Sequence, residues 1–107
     1  AEEVFNSTGI CKCECTGIIK PDVVLYEEEI PSDVLRNSTE MIAKCDMLLV
    51  LGTSLTVYPA SGLINYFRGK YLVIVNRDTT SYDNRADLVI NMGLKEVFEM
   101  IDNYFKV

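Results

Sequence analysis

Histidine is absent from all 107 residues of this chain. The commonest general base, a serine–histidine pair and a histidine-bearing metal cage are therefore excluded from its own side chains. Long apolar runs are missing as well. No stretch approaches the ~18 apolar residues of a membrane span, and no basic-then-apolar segment opens the sequence. A cytoplasmic setting without a membrane partner is the resulting expectation. Positive charge is scarce: 10 Lys and Arg stand against 16 Asp and Glu, a formal net charge of -6. Phosphate contacts need clustered Lys and Arg, so nucleic acid is not an expected partner. The acidic run Glu27-Glu28-Glu29 reads as a solvated loop. Asn-Ser-Thr sequons begin at Asn6 and Asn37, and without a secretory signal both read as chance.

What is present is ordinary for a globular chain, with 49% hydrophobic and 24% charged residues. The length suits one domain or less, and a chain this small has a thin margin of stability. Residues 1–17 are polar and cysteine-bearing and read as a loop or the remnant of a small module. Val23 to Tyr26 reads as a short strand after Pro21. Pro31-Ser32-Asp33 predicts a helix start with Ser32 as N-cap, and Val34, Leu35, Met41 and Ile42 predict its apolar face. Met47 to Leu51 and Tyr71 to Val75 are apolar without alternation, as in strands covered on both faces. Leu88 to Ile90 is a third, shorter strand. Between the first two, Ala60, Leu63, Ile64 and Phe67 have helical spacing, with Gly69 able to end that helix. Leu94, Val97, Phe98, Ile101 and Phe105 predict a last helix after Gly93. Strands alternating with helices imply parallel pairing through right-handed crossovers, hence part of a Rossmann-like sheet over residues 18–107.

Three features could carry chemistry. Cys11, Cys13 and Cys15 lie within five residues, so they are either part of a zinc site or free thiols. A structural zinc needs four ligands, which makes C-x-C-x-C a half-site. Cys45 abuts a strand and reads as core. Gly52-Thr53-Ser54-Leu55 ends a buried strand and leads towards a helix, the place where an open α/β sheet builds a nucleotide site. Read alone, it could equally be a plain turn. Asn76 ends the next strand and Gly93-Leu94 starts the last helix, so both fall on the same carboxyl edge as Ser54. Asn76 could bond ribose hydroxyls there or simply form a turn, and the free amides of the helix start suit a polar ring or phosphate.

Three stretches together resemble one family. Gly17-Ile-Ile-Lys-Pro-Asp-Val-Val-Leu-Tyr26, Asp46-Met-Leu-Leu-Val-Leu-Gly-Thr-Ser-Leu-Thr-Val-Tyr-Pro59 and Val73-Ile-Val-Asn-Arg-Asp78 are similar to sirtuins, NAD-dependent protein-lysine deacylases with a large Rossmann domain and a small zinc module. The resemblance continues through Ala86 to Ile90 and the final helix. It implies that Gly52, Thr53 and Ser54 contact NAD near its ribose and phosphates, that Asn76 and Arg77 lie beside the adenine ribose, and that the backbone of Leu94 meets the adenine. Val24, Tyr26 and Glu27 would pair with an acetyl-lysine peptide by strand addition. Glu27 stands where family members often carry glycine. Cys13 and Cys15 would be the second pair of zinc ligands, with Cys11 an alternative.

The family's first cysteine pair, its glycine-rich phosphate loop and its catalytic histidine would lie upstream of this sequence. Catalytic residues are therefore not expected here, and the chain alone should be inactive. The family's central strand would also be upstream, which leaves a sheet flank bare and predicts self-association or association with an amino-terminal half. A non-catalytic nucleotide-binding module and a ligand-free interaction domain are the competing readings.

Overall fold

The computed structural model describes residues 2–106, in two compact units, Ala1–Pro31 and Ser32–Val107. Residues 18–31 adjoin the cysteine-bearing turn through the Ile19 amide, which donates to the Cys11 carbonyl at 2.7 Å, and within that segment Lys20 pairs with Glu28 at 3.8 Å.

The first unit opens with one helical turn, α1 (Glu2–Phe5), in the stretch the sequence marked as a loop or the remnant of a small module. A tight knuckle follows. Lys12 bridges Ile18 in antiparallel fashion, the Cys13 amide donates to the Gly17 carbonyl at 2.8 Å, and the Thr16 amide donates to the Cys13 carbonyl at 2.9 Å. Residues 23–26 do not form the expected strand. Among the described residues no strand of this unit pairs with them, and β-prone residues without a ladder partner stay irregular.

The second unit is a three-stranded parallel sheet in the order β1 (Met47–Leu51), β2 (Tyr71–Val75), β3 (Leu88–Ile90). The register sets Leu49 beside Val73 and Val73 beside Leu88. Laterally paired residues share a face, and successive residues alternate between faces. Leu72 and Ile74 therefore share one face, where they form the core with Ile64, and Leu48, Val50, Leu55 and Phe67 pack around them. The opposite face differs from the sequence expectation of strands covered on both sides. There Val75 is buried, but Met47, Leu49, Tyr71 and Leu88 are exposed.

Three helical expectations also change in detail. α2 (Ser32–Lys44) includes Ser32 in the helix itself, and its inward residues are Leu35, Ser38, Thr39 and Ile42, while Val34 and Met41 face solvent. Ala60–Tyr66 is a 3-10 helix that stops before Phe67. Ser61 and Gly62 hold an α-helix poorly, and the Gly62 amide closes a short turn onto the Pro59 carbonyl at 3.0 Å. Gly69 does not end that helix. It lies where the Cys45 and Asp46 carbonyls leave no room for a Cβ, in the turn fixed by the Lys70 amide on the Asp46 carbonyl at 2.8 Å. α3 (Leu94–Phe105) begins where expected, but it buries only Val97 and part of Leu94, leaving Phe98, Ile101 and Phe105 exposed.

Candidate functional site

The carboxyl ends of the three strands and the start of α3 form one edge of the second unit. Gly52 leaves β1 with φ +61°, a left-handed conformation that costs glycine nothing and other residues ~1–2 kcal/mol. Its amide donates to the Val75 carbonyl at 2.8 Å, which ties the turn to the end of β2. A Cβ on Gly52 would come within 2.9 Å of Leu94 Cδ1, so the first residue of α3 rests directly on this turn. Thr53 Oγ1 then accepts from the Leu55 amide at 3.1 Å, and the hydroxyls of Ser54 and Thr56 are hydrogen-bonded to each other at 2.9 Å. Thr53 and Ser54 are both exposed.

Asn76 follows β2 directly. Its amide donates to the Ile90 carbonyl at 3.1 Å, and its side-chain Nδ2 donates to the Asp78 carbonyl at 3.0 Å. Arg77 is exposed, and its guanidinium lies over Gly93, where a Cβ would stand 3.2 Å from Nη2 and 3.3 Å from Nε. Among the described residues Arg77 makes none of the ion pairs. Gly93 caps α3 without a side-chain hydrogen bond, and the first amides of α3, unbonded among the described residues, lie at the positive end of the helix dipole between the Arg77 guanidinium and the Glu96 carboxylate, whose Oε1 stands 3.4 Å from the same Cβ position. Gly52, Asn76, Arg77 and Leu94 are thus gathered at one edge, with Thr53 and Ser54 on the adjoining loop.

One residue of this edge was not singled out in the sequence. Asn91 Nδ2 donates to the Asn76 carbonyl at 3.1 Å and to the Asp78 carbonyl at 3.4 Å, joining the loops that follow β2 and β3. The signal was available, because Asn91 follows Ile90 as Asn76 follows Val75.

The other expected site residues belong to the first unit. Val24, Tyr26 and Glu27 are exposed, and the amides of Val24 and Tyr26 take part in no backbone–backbone bond among the described residues. Glu28 braces this segment, accepting at Oε2 from the Leu25 amide at 3.1 Å. Glu27 has φ +71°, the region that favours glycine.

Cys13 and Cys15 are joined as a disulfide, and both sulfurs lie over Gly17, at 3.4–3.5 Å from where a Cβ would be. A bonded pair offers no thiolate to a metal. Even when reduced it supplies two of the four ligands of a structural zinc. No group of three or more His, Cys, Asp or Glu suited to a metal occurs among the described residues. These residues do not fit a complete zinc site. Cys11 and Cys45 are free thiols.

Comparison with known proteins places the chain in one family. The sequence model of the Sir2 family matches residues 1–59. An NAD-dependent protein deacetylase of Clostridium acetobutylicum is 50% identical over 99 residues, covering 92% of this chain and 40% of that protein. The Clostridium perfringens NAD-dependent protein deacetylase is 53% identical over 96 residues, covering 88% of this chain and 39% of that protein. Among solved structures, a Sir2–p53 peptide–NAD+ complex superposes with a TM-score of 0.75 at 33% identity, over 96% of this chain and 44% of that one. Sir2 bound to an acetylated peptide gives a TM-score of 0.76 at 33% identity over the same shares. The chain thus spans about two fifths of the length of these curated relatives, and it belongs to the Sir2 family.

Proposed function

We propose that this chain is the nucleotide- and peptide-binding portion of an NAD-dependent protein-lysine deacetylase, an enzyme that transfers acetyl from lysine to the ADP-ribose part of NAD and releases nicotinamide. The observation that carries this reading is the convergence of Gly52, Asn76, Arg77 and Leu94 on one sheet edge. Thr53, Ser54 and Arg77 are exposed on that edge, so hydroxyls and a cation are accessible to the ribose and phosphates of a ligand. NAD, when bound, would supply the sugar carbon that the acetyl oxygen attacks and that nicotinamide leaves. The residues here hold and orient it. At the turn that Gly52 makes, Thr53 and Ser54 offer amides and hydroxyls to ribose and phosphate, Asn76 and Arg77 flank the adenine ribose, and the amides at Leu94 face the adenine. Asn91 is a positioning residue, fixing the carbonyls of Asn76 and Asp78.

The first unit contributes Val24, Tyr26 and Glu27 as an edge for an acetyl-lysine peptide. The free amides of Val24 and Tyr26 support strand addition. Cys13 and Cys15, once reduced, supply half of a zinc tetrahedron whose other half comes from another part of the enzyme. The cytoplasm is the compartment that keeps such thiols reduced.

No side chain in this chain can act as the histidine base, so binding and turnover separate. The test is a deacetylation assay with NAD and an acetyl-lysine peptide. The chain alone is expected to release no nicotinamide, and to release it once combined with the rest of a Sir2-family protein. In the absence of that remainder, self-association is expected. Nicotinamide release by the chain alone, or none from the combination, would refute the reading.

A further inference from the structure

The side chains beside the proposed adenine ribose differ in what they already bond. Asn76 Nδ2 is committed to the Asp78 carbonyl at 3.0 Å, and Asn91 Nδ2 to the Asn76 and Asp78 carbonyls. Elsewhere, Arg68 donates to the Asn65 and Phe67 carbonyls, and Arg85 donates to Asn65 Oδ1 and lies over the Tyr82 ring. The Arg77 guanidinium has no such partner. Among the described residues it enters none of the side-chain hydrogen bonds or ion pairs. It stands exposed beside Gly93 with its whole fork of donors free. In nucleotide-binding sheets a ribose hydroxyl is commonly held by a carboxylate, and a phosphate on that ribose by an arginine.

We infer that this edge favours an adenine nucleotide whose ribose carries a phosphate, and that Arg77 is the residue that reads it. The inference rests on the nucleotide reading above and deepens it. A 2′-phosphate, as in NADP, and a 3′-phosphate, as in coenzyme A, offer the guanidinium the same chemistry. Its planar fork can bond two phosphate oxygens at once, which a ribose hydroxyl cannot match. Two carboxylates oppose this: Asp78, next in sequence, and Glu96, whose Oε1 stands 3.4 Å from the Cβ position on Gly93. Neither forms an ion pair with Arg77 among the described residues, so the cation is not neutralised in place. A phosphorylated nucleotide seated here would exclude NAD, which makes the edge responsive to the ratio of the two.

The test is calorimetric titration of this chain with NAD, NADP, coenzyme A and dephospho-coenzyme A. NADP should bind about fivefold tighter than NAD, or coenzyme A about fivefold tighter than its dephospho form, according to which ribose oxygen faces Arg77. The gain should fade in high salt, as an exposed charge pair requires. Arg77→Ala should abolish it, Arg77→Lys should keep part of it, and Glu96→Gln should enlarge it. Lys106→Ala, at the far end of α3 and paired with Asp102, should leave it unchanged. Circular dichroism checks that each variant folds, and the wild-type ratios answer the question without any variant. NAD binding with no gain from either phosphate, or a gain that survives Arg77→Ala, would overturn the inference and leave the nucleotide reading standing. A gain through Arg77 without binding of NAD would support the inference and refute the proposed function. No binding of any of the four would overturn both.

Discussion

Gly52 and Leu94 lie 42 residues apart in sequence and in direct contact in the fold: a Cβ on Gly52 would stand 2.9 Å from Leu94 Cδ1. The turn after β1 and the start of α3 are therefore one structural feature, and the proposed nucleotide edge depends on it.

Replacing Gly52 with alanine combines a left-handed residue with this contact. The leucine tip can move, so the main cost is conformational, about 1–2 kcal/mol. Chemical denaturation of the Gly52→Ala chain should show that loss, with NAD affinity falling as well.

Gly69→Ala should be more damaging. The intruding Cβ would meet the backbone carbonyls of Cys45 and Asp46, which cannot rotate away as a side chain can. A loss of about 1–3 kcal/mol is expected from forcing the turn apart, visible as a lowered thermal midpoint.

Glu27→Gly should act in the opposite direction. At φ +71° the glutamate carries a backbone cost that glycine avoids; relief of about 1 kcal/mol is expected, less the greater freedom of glycine in the unfolded chain. Slower proteolysis within residues 20–30 would report it.

Asn91→Ala removes two donated hydrogen bonds, at 3.1 and 3.4 Å. Both are exposed, so stability should fall by only about 0.5–1.5 kcal/mol. NAD affinity should fall further than that of an exposed control such as Lys95→Ala. Equal affinities would remove Asn91 from the site.

The state of the cysteines is open to a direct count. Alkylation without reductant should label Cys11 and Cys45 alone, and after reduction all four cysteines. Zinc added to the reduced chain should be held weakly, since two thiolates leave half the tetrahedron to water.

The strands and the last helix were legible because continuous apolar runs and a 3.6-residue period survive in the bare sequence. The carboxyl edge was legible too, since parallel strands place Gly52, Asn76 and Gly93 on the same side. Coverage was not. Met47, Leu49 and Leu51 have the composition of a doubly buried strand, yet what covers a face is decided by other elements. The apolar face of α2 was displaced for a related reason: Leu35 and Ile42 turn inward with Ser38 and Thr39, and small polar residues at a packing face carry no hydrophobic signal. Residues 23–26 have strand composition without a neighbour to pair with. The disulfide was hidden because C-x-C spacing serves a metal and a bonded pair alike.

Saturation-transfer NMR of NAD with this chain tests the central claim most directly. Transfer to the adenine and adenine-ribose protons is expected, strongly reduced in Asn76→Ala and Arg77→Ala chains that retain their fold. No transfer to NAD, or transfer unchanged by either substitution, would contradict the assignment of this edge as the nucleotide site.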